Sequence, residues 1–168
     1  AVIDSGLDFV IYRPSVIYGP GDGFVSLLTR MITMYPVTPV IGSGKFMLQP
    51  VYIDDLVQAM AAALTNDRVL SQIIEIGGPE KLEYIEILNI IKRVLGKRRV
   101  NFHIPIAVMY AVASVLEKIL TPAPITRDQL KMMEMGNTGD ITRMKELLSI
   151  EPIELEKGLR KYLRYPNG

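Results

Sequence analysis

The chain has 168 residues, 49% of them hydrophobic and 22% charged, enough for one domain and incompatible with a disordered tail, a collagen-like repeat or an acidic solvating segment. Nineteen basic against eighteen acidic side chains leave a net charge of +1, so the balance carries no electrostatic footprint for nucleic acid or an anionic membrane. With no cysteine and a single histidine, His103, it lacks a disulfide framework, thiolate zinc ligands and a cysteine nucleophile, and has little from which to build a His-based metal cluster or a Ser-His-Asp triad.

DFVIYR (8–13) is β-branched and aromatic and ends at Pro14, the pattern of a buried strand. A loop rich in Gly and Pro, SVIYGPGDG, follows, and a helix is expected over Phe24 to Met34. Pro36, Pro39, Gly42 and Gly44 break the chain again, with a short strand at 39–41. MLQPVYI (47–53) reads as extended, and Asp54 or Asp55 as the N-cap of a helix LVQAMAAALTN. QIIEIG (72–77) is a second buried-strand candidate. The clearest helix runs from Leu82 to Leu95, with Tyr84, Ile85, Leu88, Ile91, Val94 and Leu95 at helical spacing and Gly96 suited to the left-handed position beyond its end. RRVNFHI (98–104) predicts a strand. From Pro105 to about Leu120 an almost wholly apolar helix reads as core, since it lacks the Lys/Arg face of a membrane-surface helix, and TPAP closes it. Thr126 with Gln129 forms a capping box opening a helix to about Met135, and two short helices finish the chain near 142–148 and 153–163. Four strands among six or seven helices are too few for a complete doubly wound sheet, so the expectation is an α/β remnant with a helical lobe.

No apolar run reaches the roughly 18 residues of a membrane span. The missing cysteines fit a cytoplasmic protein, and the start at Ala1, with neither initiator Met nor leader, reads as an interior position of a longer chain. RPSVIYGPGDGF (13–24) ends a strand and turns toward a helix, where open α/β sheets place ligands; the plain alternative is that Gly and Pro build a turn. Its glycines do not match a GxGxxG fingerprint. In GSGKFMLQPVYIDDLVQAM (42–60), Lys45, Gln49 and Tyr52 could line a cleft, while the adjacent aspartates suit helix capping better than an acid/base dyad. The cations of GKRRV (96–100) fit a solvated strand start, and His103, between Phe102 and Ile104, a half-buried structural role. None of the tyrosines at 12, 18, 35, 52, 84, 110, 162 and 165 has a Lys four residues later, and no nucleophile–base pair stands out. The chain shows no complete active site of its own, so no catalytic residue is assigned.

The order SGLDFVIYRPSVIYGPGD, PVIGSGKFMLQPVYIDDLVQAMAAAL, IIEIGGPEKLEYIEILNII, TRDQLKMM resembles the C-terminal half of an extended short-chain dehydrogenase/reductase of the NAD-dependent epimerase/dehydratase family. Within it, the resemblance is closest to the atypical group related to the dehydrogenase-fold accessory subunit of respiratory complex I, and it spans about Ser5 to Leu163. It implies an NAD(P)-binding Rossmann-like fold whose Gly-rich loop and Tyr-x-x-x-Lys pair belong to a half not contained here. On that resemblance, residues 1–168 form a single fragment: late Rossmann strands plus a mostly helical substrate lobe. Pro14, Ser15, Val16 and Ile17 would contact the NAD or NADP of the parent protein, Arg13 would join a structural ion pair, and Tyr18 through Phe24 would lead into the substrate lobe, which with Lys45, Gln49 and Tyr52 faces a small-molecule substrate.

Sugar-nucleotide members typically carry an Arg-Asp pair where this chain has Leu48 and Gln49, which argues against a nucleotide-sugar substrate. Glu83 stands where Thr or Ser often caps the long helix, which would weaken that cap. The resemblance leaves two functions open: an NAD(P)-dependent oxidoreductase or epimerase, of which the fragment alone is inactive, or a non-catalytic nucleotide-binding scaffold or assembly protein. An isolated half-domain would also expose the edge of an incomplete sheet, so the chain alone is expected to dimerise there.

Overall fold

A computed structural model describes residues 2–163 apart from Ser5, Pro122 and Pro124. Ala1, Ser5, Tyr165 and the two prolines of TPAP therefore lie outside the described residues. Among these residues eight short strands and seven α-helices alternate in an α/β arrangement.

The strands are β1 (Val10–Pro14), β2 (Ile17–Tyr18), β3 (Val37–Ile41), β4 (Met47–Leu48), β5 (Val51–Tyr52), β6 (Gln72–Ile76), β7 (Leu82–Glu83) and β8 (Val100–Ile104). They form four two-stranded sheets. β1–β6, β2–β5 and β3–β8 are parallel, and β4–β7 is antiparallel. The helices are α1 (Phe24–Met34), α2 (Ile53–Ala63), α3 (Tyr84–Val94), α4 (Ile106–Ile119), α5 (Arg127–Met135), α6 (Thr142–Leu148) and α7 (Leu155–Tyr162).

Two hydrophobic cores interleave along the sequence, with Val51 in one and Tyr52 in the other. One gathers Val51, Leu56, Ala59, Val69, Ile74, Ile76, Met144 and Leu148 around β6, with α2 and α6 over it. The other packs Tyr18, Val25, Leu28, Ile32, Val40, Tyr84, Ile87, Leu88, Ile91 and Leu159 between α1, α3, α7 and β3. Ile53, at the start of α2, touches both.

Helices with a clear 3.6-residue apolar period form where that pattern predicts them: α1 matches its expected span, and α3 buries Tyr84, Ile87, Leu88, Ile91 and Val94 along one face. Gly96 takes φ 61° beyond α3, where a side chain would cost energy, and the Thr126–Gln129 capping box opens α5. At α3 the cap comes from Glu86, whose Oε2 accepts the Glu83 backbone N–H at 2.7 Å, so Glu83 in place of Thr or Ser leaves that N–H satisfied.

Five expectations are corrected. β1 is half-buried to exposed instead of buried, because β6 is its one partner among the described residues; Val10 and Tyr12 line an open apolar groove of about 480 Å³ with Val57, Met60, Ala61, Ala63 and Leu64. Neither aspartate caps α2: its N-cap is Tyr52, and both fall in the first helical turn, where a carboxylate suits the helix dipole. α4 is not core, since Ala113 is its one buried residue. His103 is exposed, anchored by its Nδ1–H donating to the Gly42 carbonyl at 2.9 Å. Arg13 is exposed opposite Glu75 and makes no ion pair among the described residues, because Glu75 Oε2 accepts the Asp140 N–H at 2.5 Å instead.

Candidate functional site

The carboxyl ends of the parallel pair β1–β6 open onto the segment that follows Pro14. The Ser15 N–H donates to the Ile76 carbonyl at 2.8 Å, continuing the ladder by one residue, and Ser15 Oγ donates to the Asn137 carbonyl at 2.8 Å. The Val51 N–H then donates to the Val16 carbonyl at 2.9 Å, and Ile17 and Tyr18 pair with Val51 and Tyr52. Pro14 stays exposed, and Ser15, Val16 and Ile17 half-buried. This segment thus presents a small, mainly aliphatic surface whose shape is fixed by backbone bonds to β5 and β6.

Gln49 ties that surface to two neighbouring turns. It is 2% exposed; its Nε2 donates to the Gly78 carbonyl and its Oε1 accepts the Gly139 N–H, both at 2.8 Å. A Cβ on Gly78 would run into the Pro50 carbonyl, so the turn after β6 can approach this closely only as glycine. Its neighbour Leu48 is buried in the larger core and brings no charge to the site.

A second cluster lies on the lobe side. Tyr18 is fully buried, its ring 5.4 Å from that of Tyr52 at 51°, and its hydroxyl has no hydrogen-bond partner. Tyr162 stacks on Tyr52 with ring centroids 6.4 Å apart and donates to Asp22 Oδ2 at 3.3 Å. Lys161 Nζ sits 4.9 Å from the Tyr52 ring centroid, within range of a cation–π contact. Burial, then the charges of Asp55 and Glu80, push the Tyr18 hydroxyl far above the ordinary tyrosine range; burial and then Asp22 do the same to Tyr162. Both phenols therefore hold their protons at neutral pH and can donate a hydrogen bond but not serve as a base.

Carboxylates hold the C-terminal segment over this cluster. Asp55, 4% exposed, accepts the Ile153 N–H at 2.9 Å, and Glu80 accepts the Leu155 N–H at 2.8 Å at the start of α7. Burial raises the Asp55 carboxyl pKa, with the Ile153 bond and Lys161 opposing that shift. Asp22 accepts the Val25 N–H at 2.6 Å and the Ser26 N–H at 3.2 Å, capping α1 from just outside it.

The residues singled out from sequence thus fall into two groups. Pro14, Ser15, Val16, Ile17 and Gln49 meet around the strand ends, and Tyr18, Tyr52 and the half-buried Phe24 belong to the lobe core. Lys45 is exposed on the turn after Gly44 and makes no ion pair among the described residues. Asn137, Gly139, Asp22 and Tyr162 were not singled out. Asp22 had a readable signal, an acidic residue just before an apolar helix; NTGD (137–140) had only a turn composition, and Tyr162 had none. No group of three or more His, Asp or Glu is placed to hold a metal ion, and no helix is long and apolar enough to cross a membrane, among the described residues.

Residues 2–77 match the model of the NAD dependent epimerase/dehydratase family. Subunit 9 of the NADH dehydrogenase [ubiquinone] 1 alpha subcomplex, a mitochondrial protein of Arabidopsis thaliana, is 26% identical over 160 residues, covering 92% of this chain and 40% of that protein. The UDP-glucose 4-epimerase of Thermotoga maritima, solved with UDP-glucose, superposes with a TM-score of 0.68 at 24% identity, over 94% of this chain and 45% of that one. A dTDP-glucose 4,6-dehydratase from Bacillus anthracis, solved with NAD, gives 0.66 at 17% identity, over 90% and 42%. At these identities the solved structures speak for the fold alone. The chain spans between 31% and 47% of the length of the curated relatives it matches. Over residues 2–77 the chain is thus similar to the NAD dependent epimerase/dehydratase family, and its parallel strand pairs share the fold of these solved structures.

Proposed function

We propose that residues 1–168 form the substrate lobe and one wall of the nicotinamide pocket in an NAD(P)-dependent oxidoreductase or epimerase/dehydratase-like protein. The observation that carries this reading is the position of Pro14, Ser15, Val16 and Ile17 at the carboxyl ends of β1 and β6, the place where open α/β sheets hold ligands. Their small, aliphatic surface fits the flat face of a nicotinamide through van der Waals contact. It does not fit a pyrophosphate, since the Ser15 N–H is already bonded and Gln49 is spent on two turns. Bound there, the cofactor would accept or donate hydride; this chain's residues would orient the ring and exclude water.

Tyr18, Phe24 and Tyr52 shape the lobe on the substrate side, with Lys45 and Gln49 at its margin. With Leu48 buried where a nucleotide-sugar enzyme would need a cation, we infer a small, less polar substrate. The absence of cysteine favours a cytoplasmic setting. β1, with its outer edge open, is a site at which two isolated chains can pair.

The test is calorimetric titration with NADH and NADPH. The 168-residue chain should not saturate in the micromolar range, whereas the protein from the complete reading frame should, and Ser15→Leu in that protein should weaken binding at least tenfold. Tight binding by the chain alone, or no effect of Ser15→Leu, would sink the wall assignment.

The similarity to an NADH dehydrogenase subunit keeps one second reading in view, a nucleotide-binding scaffold without turnover. A scaffold would be stabilised by cofactor through mass action, by about 2.7 kcal/mol at a hundredfold excess over Kd, with no hydride transfer to any substrate. Measured hydride transfer would exclude it.

A further inference from the structure

The whole-chain balance of +1 conceals a segregation of charge. Residues 23–53 and 87–116 carry seven basic side chains and no carboxylate, and the rest of the chain carries twelve basic against eighteen acidic. The fold brings these two stretches together. β3 pairs in parallel with β8, with Val37 opposite Val100 and Pro39 opposite Phe102, and α1 packs against α3. Arg99 Nε donates to the Ile32 carbonyl at 3.4 Å, which ties the segment before β8 to the last turn of α1.

Four of the seven cations differ from the rest in what they do. Lys92 Nζ donates to Asn101 Oδ1 at 2.7 Å, Arg93 pairs with Glu156 of α7 at 2.6 Å, Arg99 holds α1, and Lys45 lies on its own turn. Arg30, Lys97 and Arg98 are exposed and enter no ion pair among the described residues. At the same end of the lobe Met34, Tyr35, Val37, Val100 and Phe102 stand 59%, 53%, 43%, 75% and 59% exposed. Strand alternation sets positions 37, 39, 100 and 102 on one sheet face, opposite the buried Thr38 and Val40, so this outer face is apolar throughout.

Scattered exposed apolar side chains are ordinary; a contiguous patch bordered by cations of one sign is a contact surface. The sign pattern selects the partner. A protein partner is held in register by charges of both signs, and neither stretch has a carboxylate to offer. A lipid surface is negative throughout and has no register, and what it requires is apolar and aromatic side chains beside Lys and Arg. We propose that the outer face of the β3–β8 sheet, with the end of α1, is a peripheral docking surface for an anionic phospholipid membrane. Tyr35, Val37, Val100 and Phe102 enter the boundary between headgroups and acyl chains, and Arg30, Lys97 and Arg98 meet the phosphates. This does not depend on the nicotinamide wall, which lies at the ends of β1 and β6.

The test uses the protein from the complete reading frame, floated with vesicles of phosphatidylcholine alone or with about 30% phosphatidylglycerol. Each cation at an anionic surface contributes about fivefold, so three should favour the phosphatidylglycerol vesicles about a hundredfold at about 0.1 M salt, and less at higher salt. Lys97→Gln with Arg98→Gln should weaken that binding about 25-fold. Val100→Ser with Phe102→Ser should weaken it at least about tenfold. Both pairs should keep the wild-type melting curve, because these side chains are exposed. A complete protein that stays off phosphatidylglycerol vesicles, as it would if its other half covered this face, overturns the proposal. So does equal binding to both kinds of vesicle, or binding that neither pair of substitutions weakens. Retention on immobilised poly-glutamate without vesicle binding would assign the face to an acidic protein and overturn it too.

Discussion

Replacing Gly158 by Ala tests the packing of α7 on the lobe core. Gly158 lies inside α7 and is buried, and on helix propensity alone the change should stabilise by about 0.5–1 kcal/mol. The space contradicts that expectation. A Cβ at 158 would overlap Tyr18 Oη and stand 2.8 Å from Cζ and 2.9 Å from Cε2. Tyr18 is fully buried against Tyr52, so its ring has no free direction in which to swing away. Overpacking of this kind costs roughly 1–3 kcal/mol. Subtracting the propensity gain leaves a net loss of up to about 2.5 kcal/mol, a fall in Tm of up to about 10 °C for a domain of this size. The assay is urea and thermal unfolding of wild type, Gly158→Ala, Tyr18→Phe and the double variant. Tyr18→Phe removes a hydroxyl with no partner and should be neutral to mildly stabilising. It also removes the nearest atom to the new methyl, so the two changes should couple by about 1 kcal/mol in the double-mutant cycle. A Gly158→Ala variant more stable than wild type, with no coupling to position 18, would refute the close contact between α7 and β2.

Three further outcomes follow from the polar ties. Gln49→Leu strands the Gly139 N–H and weakens the hold on the Gly78 carbonyl, so it should lose about 2–4 kcal/mol by urea unfolding; a loss under about 0.5 kcal/mol would remove Gln49 from its role as a latch. Asp22→Ala uncaps α1 and frees the Tyr162 hydroxyl, and should lose about 1–2 kcal/mol, whereas Asp22→Asn should keep most of that stability. The raised Asp55 pKa means that ionising this carboxyl works against the folded state, so its contribution falls as pH rises through the folded value. Asp55→Asn, which retains an oxygen to accept the Ile153 N–H, should therefore melt higher than wild type at pH 7, and the gap should close as pH drops below the ordinary carboxylate range. A gap that widens on acidification would reverse the sign of that argument.

What could be read in the sequence was what neighbouring residues decide. α1, α3 and the Thr126 cap depend on spacing within a dozen residues, and there expectation and structure agree. The errors arose where a partner far along the chain settles the matter. Asp54 and Asp55 look like a cap because a carboxylate before an apolar run usually is one; what diverts Asp55 is the Ile153 N–H, 98 residues away. The α4 sequence reads as core because a helix apolar all round usually is, but whether anything covers it depends on the neighbouring surface, and among the described residues α5 covers one side only.

The same distinction bears on the candidate site. Lys45, Gln49 and Tyr52 suggest a ligand cleft in the sequence because they are polar side chains close together near a strand end. In the folded chain burial separates them: Lys45 points to water, Tyr52 is spent on an aromatic stack, and Gln49 closes a bridge between residues 78 and 139. A buried amide with both ends occupied is costly to build and specifies one arrangement of the turns it joins. Those turns border the surface formed by Ser15 and Val16, so Gln49 acts on that surface by fixing its rim. Its substitution should thus change stability and, on the function proposed above, the position of the nicotinamide wall, while leaving substrate preference to side chains that reach the cleft.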